Sequence, residues 1–222
     1  KPNRLEAAKD VAAEFINGRP NDNIGITLFA GETFTQCPLT VDHAVLLDMI
    51  HNIKCGLIED GTAVGMGIAN AVTRLKDSKA KSKVIILLTD GTNNKGDISP
   101  LTAAEIAKSF GIRVYTIGVG TNGMAPYPYP VGNTVQYVNM PVEIDEKTLT
   151  QIAGTTDGNY FRATSNSKLK EVYEEIDKLE KTKLNVKEYS KRDEEYQWFA
   201  LAAFLCVLLE VLLRNSILKK IP

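Results

Sequence analysis

The sequence predicts an α/β fold, a doubly wound, mostly parallel sheet flanked by helices, followed by a C-terminal transmembrane helix. Three observations carry this. Strand-like and helix-like patterns alternate through residues 3–182, the order expected when parallel strands are joined by crossover helices. In "KVIILLT" (83–89) the run 84–88 is apolar at every position, as in a strand covered on both faces. Finally, "WFALAAFLCVLLEVLL" (198–213) holds one charge in sixteen residues, in a chain that is 24% charged.

Residues 3–17 read as a helix with Leu5, Ala8, Val11, Ala12, Phe15 and Ile16 on one face. "NIGITLF" (23–29) reads as a strand, followed by a turn at Gly31 and a short second strand, "TFTQC" (33–37). Val45, Leu46, Met49, Ile50 and Ile53 place a helix over 42–53, and "TAVGMGIANAVTRLK" (62–76) continues the alternation with another. Strand 83–89, helix 101–110 and strand 113–119 follow. "MAPYPYPVGN" (124–133) reads as a proline-rich loop, and the whole of 124–138 as a long aromatic one. The pattern then gives helix 145–154, short strand 159–163 and helix 166–182. The first domain is therefore 1–182, with 183–196 a charged linker, 197–214 a membrane helix and 215–222 a basic tail.

The membrane reading rests on length and flanks. Residues 196–213 would extend about 27 Å at ~1.5 Å per residue, close to the ~30 Å of a bilayer core. Tyr196 and Trp198 stand at one end, Arg214, Lys219 and Lys220 at the other, with Glu210 near the C-terminal end. Basic residues flank both ends, so charge does not set the orientation.

Composition excludes several functions. Twenty-six basic residues balance 27 acidic ones, for a net charge of −1, which gives no basic face for nucleic acid. Cys37, Cys55 and Cys206 form no CxxC, and His43 and His51 have no ligand pattern around them, so a zinc site is not expected. "GVGTNG" (118–123) matches the dinucleotide fingerprint, but prolines 126, 128 and 130 follow where the fingerprint needs a helix. Because Lys1 already lies within a helical pattern, the sequence predicts a natural start further upstream.

A trace of chain direction identifies the functional edge. If the C-terminal end of strand 23–29 is the top, strand 33–37 descends and helix 42–53 climbs. Helix 62–76 then descends and strand 83–89 ascends. Thr62 and Asp90 thus meet at the top, the C-terminal edge of the parallel strands, where open α/β sheets place ligands. Cys37 and Cys55 fall at opposite ends, too far apart for a disulfide. Taken singly, Thr62 can be a helix N-cap and Asp90 a turn residue. Together they are hard oxygen donors suited to Mg²⁺ or Mn²⁺, although too few to hold one alone.

"DGTAVGMGIANAV" with "SKVIILLTDGTNN" resembles the von Willebrand factor A domain over roughly residues 1–182. That resemblance implies a metal-ion-dependent adhesion site, with Thr62 touching the metal, Asp90 acting through a water, and a partner's carboxylate completing the shell. The stretches "FTQCPLTVD" and "VNMPVEIDEKTLTQIAGTTDGNYFRAT" are more specifically similar to the Bat (aerotolerance operon) proteins. These are membrane-anchored, with the domain expected on the periplasmic face, often beside a MoxR-type AAA ATPase. The family's DxSxS motif, which supplies three oxygen ligands from the first, central strand, does not occur in the chain. The resemblance therefore implies that this strand is missing and that these residues alone bind Mg²⁺ weakly or not at all.

The leading expectation is a membrane-tethered, non-enzymatic interaction module, linked through the Bat resemblance to stress or oxygen tolerance. One alternative is a phosphotransferase or hydrolase using Asp90 as nucleophile; the sequence has no Walker A loop and no GxSxG. Another is a scaffold with a vestigial metal site.

Overall fold

A computed structural model describes residues 4–54, 56, 58–120, 123–131, 134–142, 144–190 and 196–216. The chain divides into two compact units, Lys1–Glu180 and Lys181–Pro222.

The first unit runs α1 (Arg4–Asn17), β1 (Ile24–Phe29), β2 (Thr33–Thr40), α2 (His43–His51), α3 (Val64–Leu75), β3 (Lys83–Thr89), α4 (Pro100–Ser109), β4 (Ile112–Val119), β5 (Gly123–Val131), β6 (Thr134–Val142), α5 (Glu146–Thr155) and β7 (Tyr160–Ala163). The final helix, α6 (Asn166–Ser190), begins in this unit. Local chemistry sets several helix starts. Asp42 accepts a hydrogen bond from the Val45 N–H at the start of α2. Ser99 does the same for Thr102, with Pro100 in the first turn of α4, where its missing N–H costs nothing.

The expected parallel sheet is present as β3-β4-β7, in that order. β3 and β4 are in register from Lys83↔Ile112 to Thr89↔Gly118. Side-chain alternation along β3 explains the unbroken apolar run. Ile85 and Leu87 join Ile68 and Val72 of α3, Ala103 and Ala107 of α4, and Leu149 and Ile152 of α5 in one core. Val84, Ile86 and Leu88 face a second core with Val11 of α1 and Leu169, Val172 and Ile176 of α6. Helices therefore cover both faces, and each fully buried side chain such as Ile68 or Ile152 contributes on the order of 1.5–3 kcal/mol.

The sheet is divided. β1 and β2 form a separate antiparallel pair, packed on α2 through Cys37, Leu46 and Ile50. Among the described residues, β1 and β3 each have one edge without a strand partner, while α3 packs against both. β2 is longer than expected and holds an exposed Pro38, which is tolerated on an edge strand.

One further reading is corrected. Residues 124–131 and 134–138 are not a loop: β5 and β6, nine residues each, make an antiparallel hairpin from Gly123↔Val142 to Val131↔Thr134. The charged segment after 182 is helical as far as Ser190, because α6 continues through it. Its Lys, Glu and Leu residues are good helix formers, and neither Gly nor Pro interrupts them. Residues 191–195 lie outside the described residues.

At the bottom of β4, α6 is fastened by a buried polar cluster. Glu180, 5% exposed, accepts hydrogen bonds from the Tyr115 hydroxyl at 2.6 Å and the Ser82 hydroxyl at 2.8 Å, and pairs with Arg113.

The second unit contains α7 (Tyr196–Ser216). Its described side chains from Leu201 to Val211 are exposed. The expected span at 197–214 is not supported: among the described residues no helix is long and apolar enough to cross a membrane. Residues 217–222 of the expected basic tail lie outside the described residues.

Candidate metal and partner site

The site begins with how a loop is held. The cap of α3 is Ala63, and no side chain caps the helix. Thr62 is therefore not an N-cap, contrary to the simplest reading of "DGT". Backbone bonds fix its position instead. The Ala63 N–H donates to the Ala30 carbonyl at 2.7 Å, and the Gly31 N–H to the Glu59 carbonyl at 2.8 Å. These tie the loop to the end of β1.

The loop is also tied to the exit of β3. The Thr62 N–H donates to Asn94 Oδ1 at 2.8 Å. The Thr62 carbonyl accepts from the Asn94 N–H at 3.0 Å and the Lys95 N–H at 3.3 Å. This clamp brings the Thr62 side chain over Gly91, where a Cβ would lie 3.2 Å from Thr62 Oγ1. Any larger residue than glycine at 91 would crowd the threonine hydroxyl.

Asp90 stands one residue before this contact. The chain leaves β3 through buried Thr89, whose hydroxyl accepts from the Gly91 N–H at 3.3 Å. Thr89 thus makes the turn, and Asp90 is exposed beside it. Thr62 and the Asp90-Gly91 exit are therefore brought to one edge, as the chain trace expected.

Register extends this edge sideways. Thr89 pairs with Gly118 and Gly118 with Arg162, so the three form a row across β3, β4 and β7. Arg162 donates through Nε to the Gly120 carbonyl at 3.1 Å and through Nη1 to Glu146 at 2.6 Å. Asp145 caps α5, and hydrogen bonds from Thr148 hold its carboxyl below the ordinary value. Sequence reasoning did not single out Asn94, Arg162 or Glu146. A signal for Asn94 was present, since two asparagines follow the Asp-Gly exit in "DGTNN".

As donors, the Thr62 hydroxyl and Asp90 carboxylate are the hard oxygens that Mg²⁺ prefers, but an octahedral ion needs more of them. Among the described residues, no group of three or more His, Cys, Asp or Glu is arranged to hold a metal ion. Cys37 is buried and Cys206 exposed, both as free thiols; Cys55 lies outside the described residues.

The profile of the von Willebrand factor type A domain family matches residues 2–175. Among solved structures, the conserved hypothetical protein BatB from Bacteroides thetaiotaomicron is 33% identical. The match covers 82% of this chain and 90% of that one, with a TM-score of 0.71. An aerotolerance-related membrane protein from Bacteroides fragilis is 30% identical over 80% of this chain and 88% of its own, with a TM-score of 0.69. Proximal thread matrix protein 1 from the mussel byssus, described with a zinc-occupied MIDAS motif, is 25% identical. Coverage is 78% of this chain and 40% of that one, at a TM-score of 0.60. Of curated relatives, an uncharacterized protein of Borreliella burgdorferi is 27% identical over 99% of this chain. A UPF0353 protein of Mycolicibacterium paratuberculosis is 31% identical over 78%. The chain spans 64% of the length of the first and 52% of the second.

Proposed function

The chain belongs to the von Willebrand factor type A family, and on that premise we propose that it is a non-enzymatic, membrane-associated interaction module whose binding edge carries Thr62 and Asp90. The observation that carries this reading is the clamp. Thr62 is released from capping α3 and held by Asn94 against the β3 exit. A hydroxyl positioned beside an exposed carboxylate at the sheet's ligand edge fits an oxygen-ligated Mg²⁺ or Mn²⁺ ion. The zinc-occupied MIDAS motif of the mussel protein supports the same use of this fold.

In this reading the remaining ligands come from a strand carrying DxSxS outside these 222 residues, seated between the open edges of β1 and β3. A metal held this way would offer an open position to a protein partner's carboxylate and turn coordination into recognition. The description of the Bacteroides fragilis relative as an aerotolerance-related membrane protein supports an envelope location and a stress-linked role. The exposed apolar face of α7 supports membrane attachment. A MoxR-type AAA ATPase is the partner system this assignment points to.

The test uses the chain extended upstream to include that strand. Calorimetric titration with Mg²⁺ should give clear binding by the extended chain, roughly 10–100-fold weaker binding in Asp90→Ala, and unchanged circular dichroism. Equal Mg²⁺ affinity in Asp90→Ala and the parent would remove Asp90 from the site and leave the scaffold reading.

A further inference from the structure

The β5–β6 hairpin holds a second interaction surface, independent of the metal edge. We propose that the outer edge of β6 pairs with the same edge of a second copy of this chain, making a four-stranded sheet of two hairpins.

The argument starts from the register. In an antiparallel hairpin, alternate residues direct their backbone N–H and C=O inward to the partner strand, and the others direct them outward. The cross-strand pairs are Met124↔Pro141, Pro126↔Asn139, Pro128↔Tyr137 and Pro130↔Val135, alternating with Ala125↔Met140, Tyr127↔Val138 and Tyr129↔Gln136. All four prolines of the two strands fall in the first class. Proline cannot donate to a ladder, so a continuous ladder requires that class to face outward and the second class to carry the hairpin.

This has opposite consequences for the two outer edges. On β5, Pro126, Pro128 and Pro130 occupy three successive outward positions, so no further strand can pair there. On β6, Val135, Tyr137 and Asn139 are the outward residues and each keeps its N–H. Only Pro141 closes the base of that edge. The dockable length is therefore 135–139. Among the described residues, β5 and β6 pair only with each other.

The sequence then selects the occupant. Residues 123–142 contain no Asp, Glu, Lys or Arg, so the β6 edge lacks the charges that commonly keep an edge single. Twofold pairing sets β6 against itself, and an uncharged strand meets no like charge in that arrangement. The β5 prolines then border both sides of the four strands, so the assembly stops at two copies. A two-stranded hairpin is marginal in water, whereas four strands are not.

Residue-resolved amide exchange on the full chain in mild detergent tests this. The inward amides of Gln136 and Val138 should be protected at every concentration. Those of Val135, Tyr137 and Asn139 should exchange roughly tenfold slower in concentrated than in dilute protein. Tyr137→Pro should abolish that concentration dependence while leaving Gln136 protected, because position 137 faces outward; Val138→Pro should disrupt the hairpin itself. Fast exchange of the three outward amides at all concentrations would overturn the proposal. Protection unchanged in Tyr137→Pro would overturn it too. If Tyr137→Pro fails to fold, the concentration dependence in the parent chain still decides.

Discussion

Gly65→Ala should destabilise the first unit by about 3 kcal/mol, the upper end of the overpacking range. Gly65 is buried in the first turn of α3. A Cβ there would overlap the Ile98 carbonyl oxygen and lie 2.8 Å from the Ser99 carbonyl carbon. Both obstacles are backbone, and Ser99 caps α4, so neither can rotate aside. The clash can be relieved only by separating α3 from α4, which share the core of Ile68, Val72, Ala103 and Ala107. For a domain of this size the midpoint should fall by roughly 6–12 °C. Thermal unfolding followed by far-UV circular dichroism checks it; an unchanged midpoint would show that the close approach of the two helices is not as described. Because α3 follows Thr62 directly, the same variant should also disturb the candidate site.

Glu180→Ala should cost about 3–5 kcal/mol, because removing one member of a buried pair leaves the other charge uncompensated. Arg113, Tyr115 and Ser82 all direct hydrogen-bonding groups at this carboxylate. Burial alone would raise the Glu180 pKa, but hydrogen bonds from Tyr115, Ser82 and Arg113 outweigh it and hold the carboxyl below its ordinary value. The Tyr115 hydroxyl is pushed upward, chiefly by burial and then by its bond to Glu180. A lowered carboxyl pKa favours the folded state above the unfolded value, near 4.3, and that contribution is lost as pH falls through the folded value. Urea titrations should therefore show the parent losing stability on acidification more steeply than Glu180→Gln. Parallel pH profiles for the two proteins would exclude the cluster as the source.

Much of the first unit was legible because its signals are local. The apolar run of β3 and the apolar stripes of helices 3–17 and 42–53 state their elements directly, and the alternation of elements placed Thr62 and Asp90 at one edge. The failures share a different cause. Prolines 126, 128 and 130 read as loop markers because single-residue propensity ignores register; only their common parity lets them sit on one outer edge. The charged stretch 183–190 lacks an apolar stripe, yet its residues favour helix and α6 continues through it. Taken singly, Thr62 fits capping chemistry in "DGT", whereas the bonds that hold it come from Asn94, 32 residues away. The two asparagines of "DGTNN" mark a turn locally, but a local window does not pair Asn94 with Thr62.

The divided sheet affects cooperativity as well as binding. A continuous ladder transmits unfolding from strand to strand, but among the described residues no ladder joins β1–β2 to β3–β4–β7. The two halves are joined by helices and by the loop bonds Ala63–Ala30, Gly31–Glu59 and Thr62–Asn94. α3 packs on both, and α1 contributes Val11 to one core and Ile16 to another. The first unit should therefore behave as two foldons. In native-state exchange under rising denaturant, the amides of β1 and β2 should open together at a lower free energy than those of β3 and β4. A single shared opening energy would mean that the two helices couple the halves as tightly as a strand would.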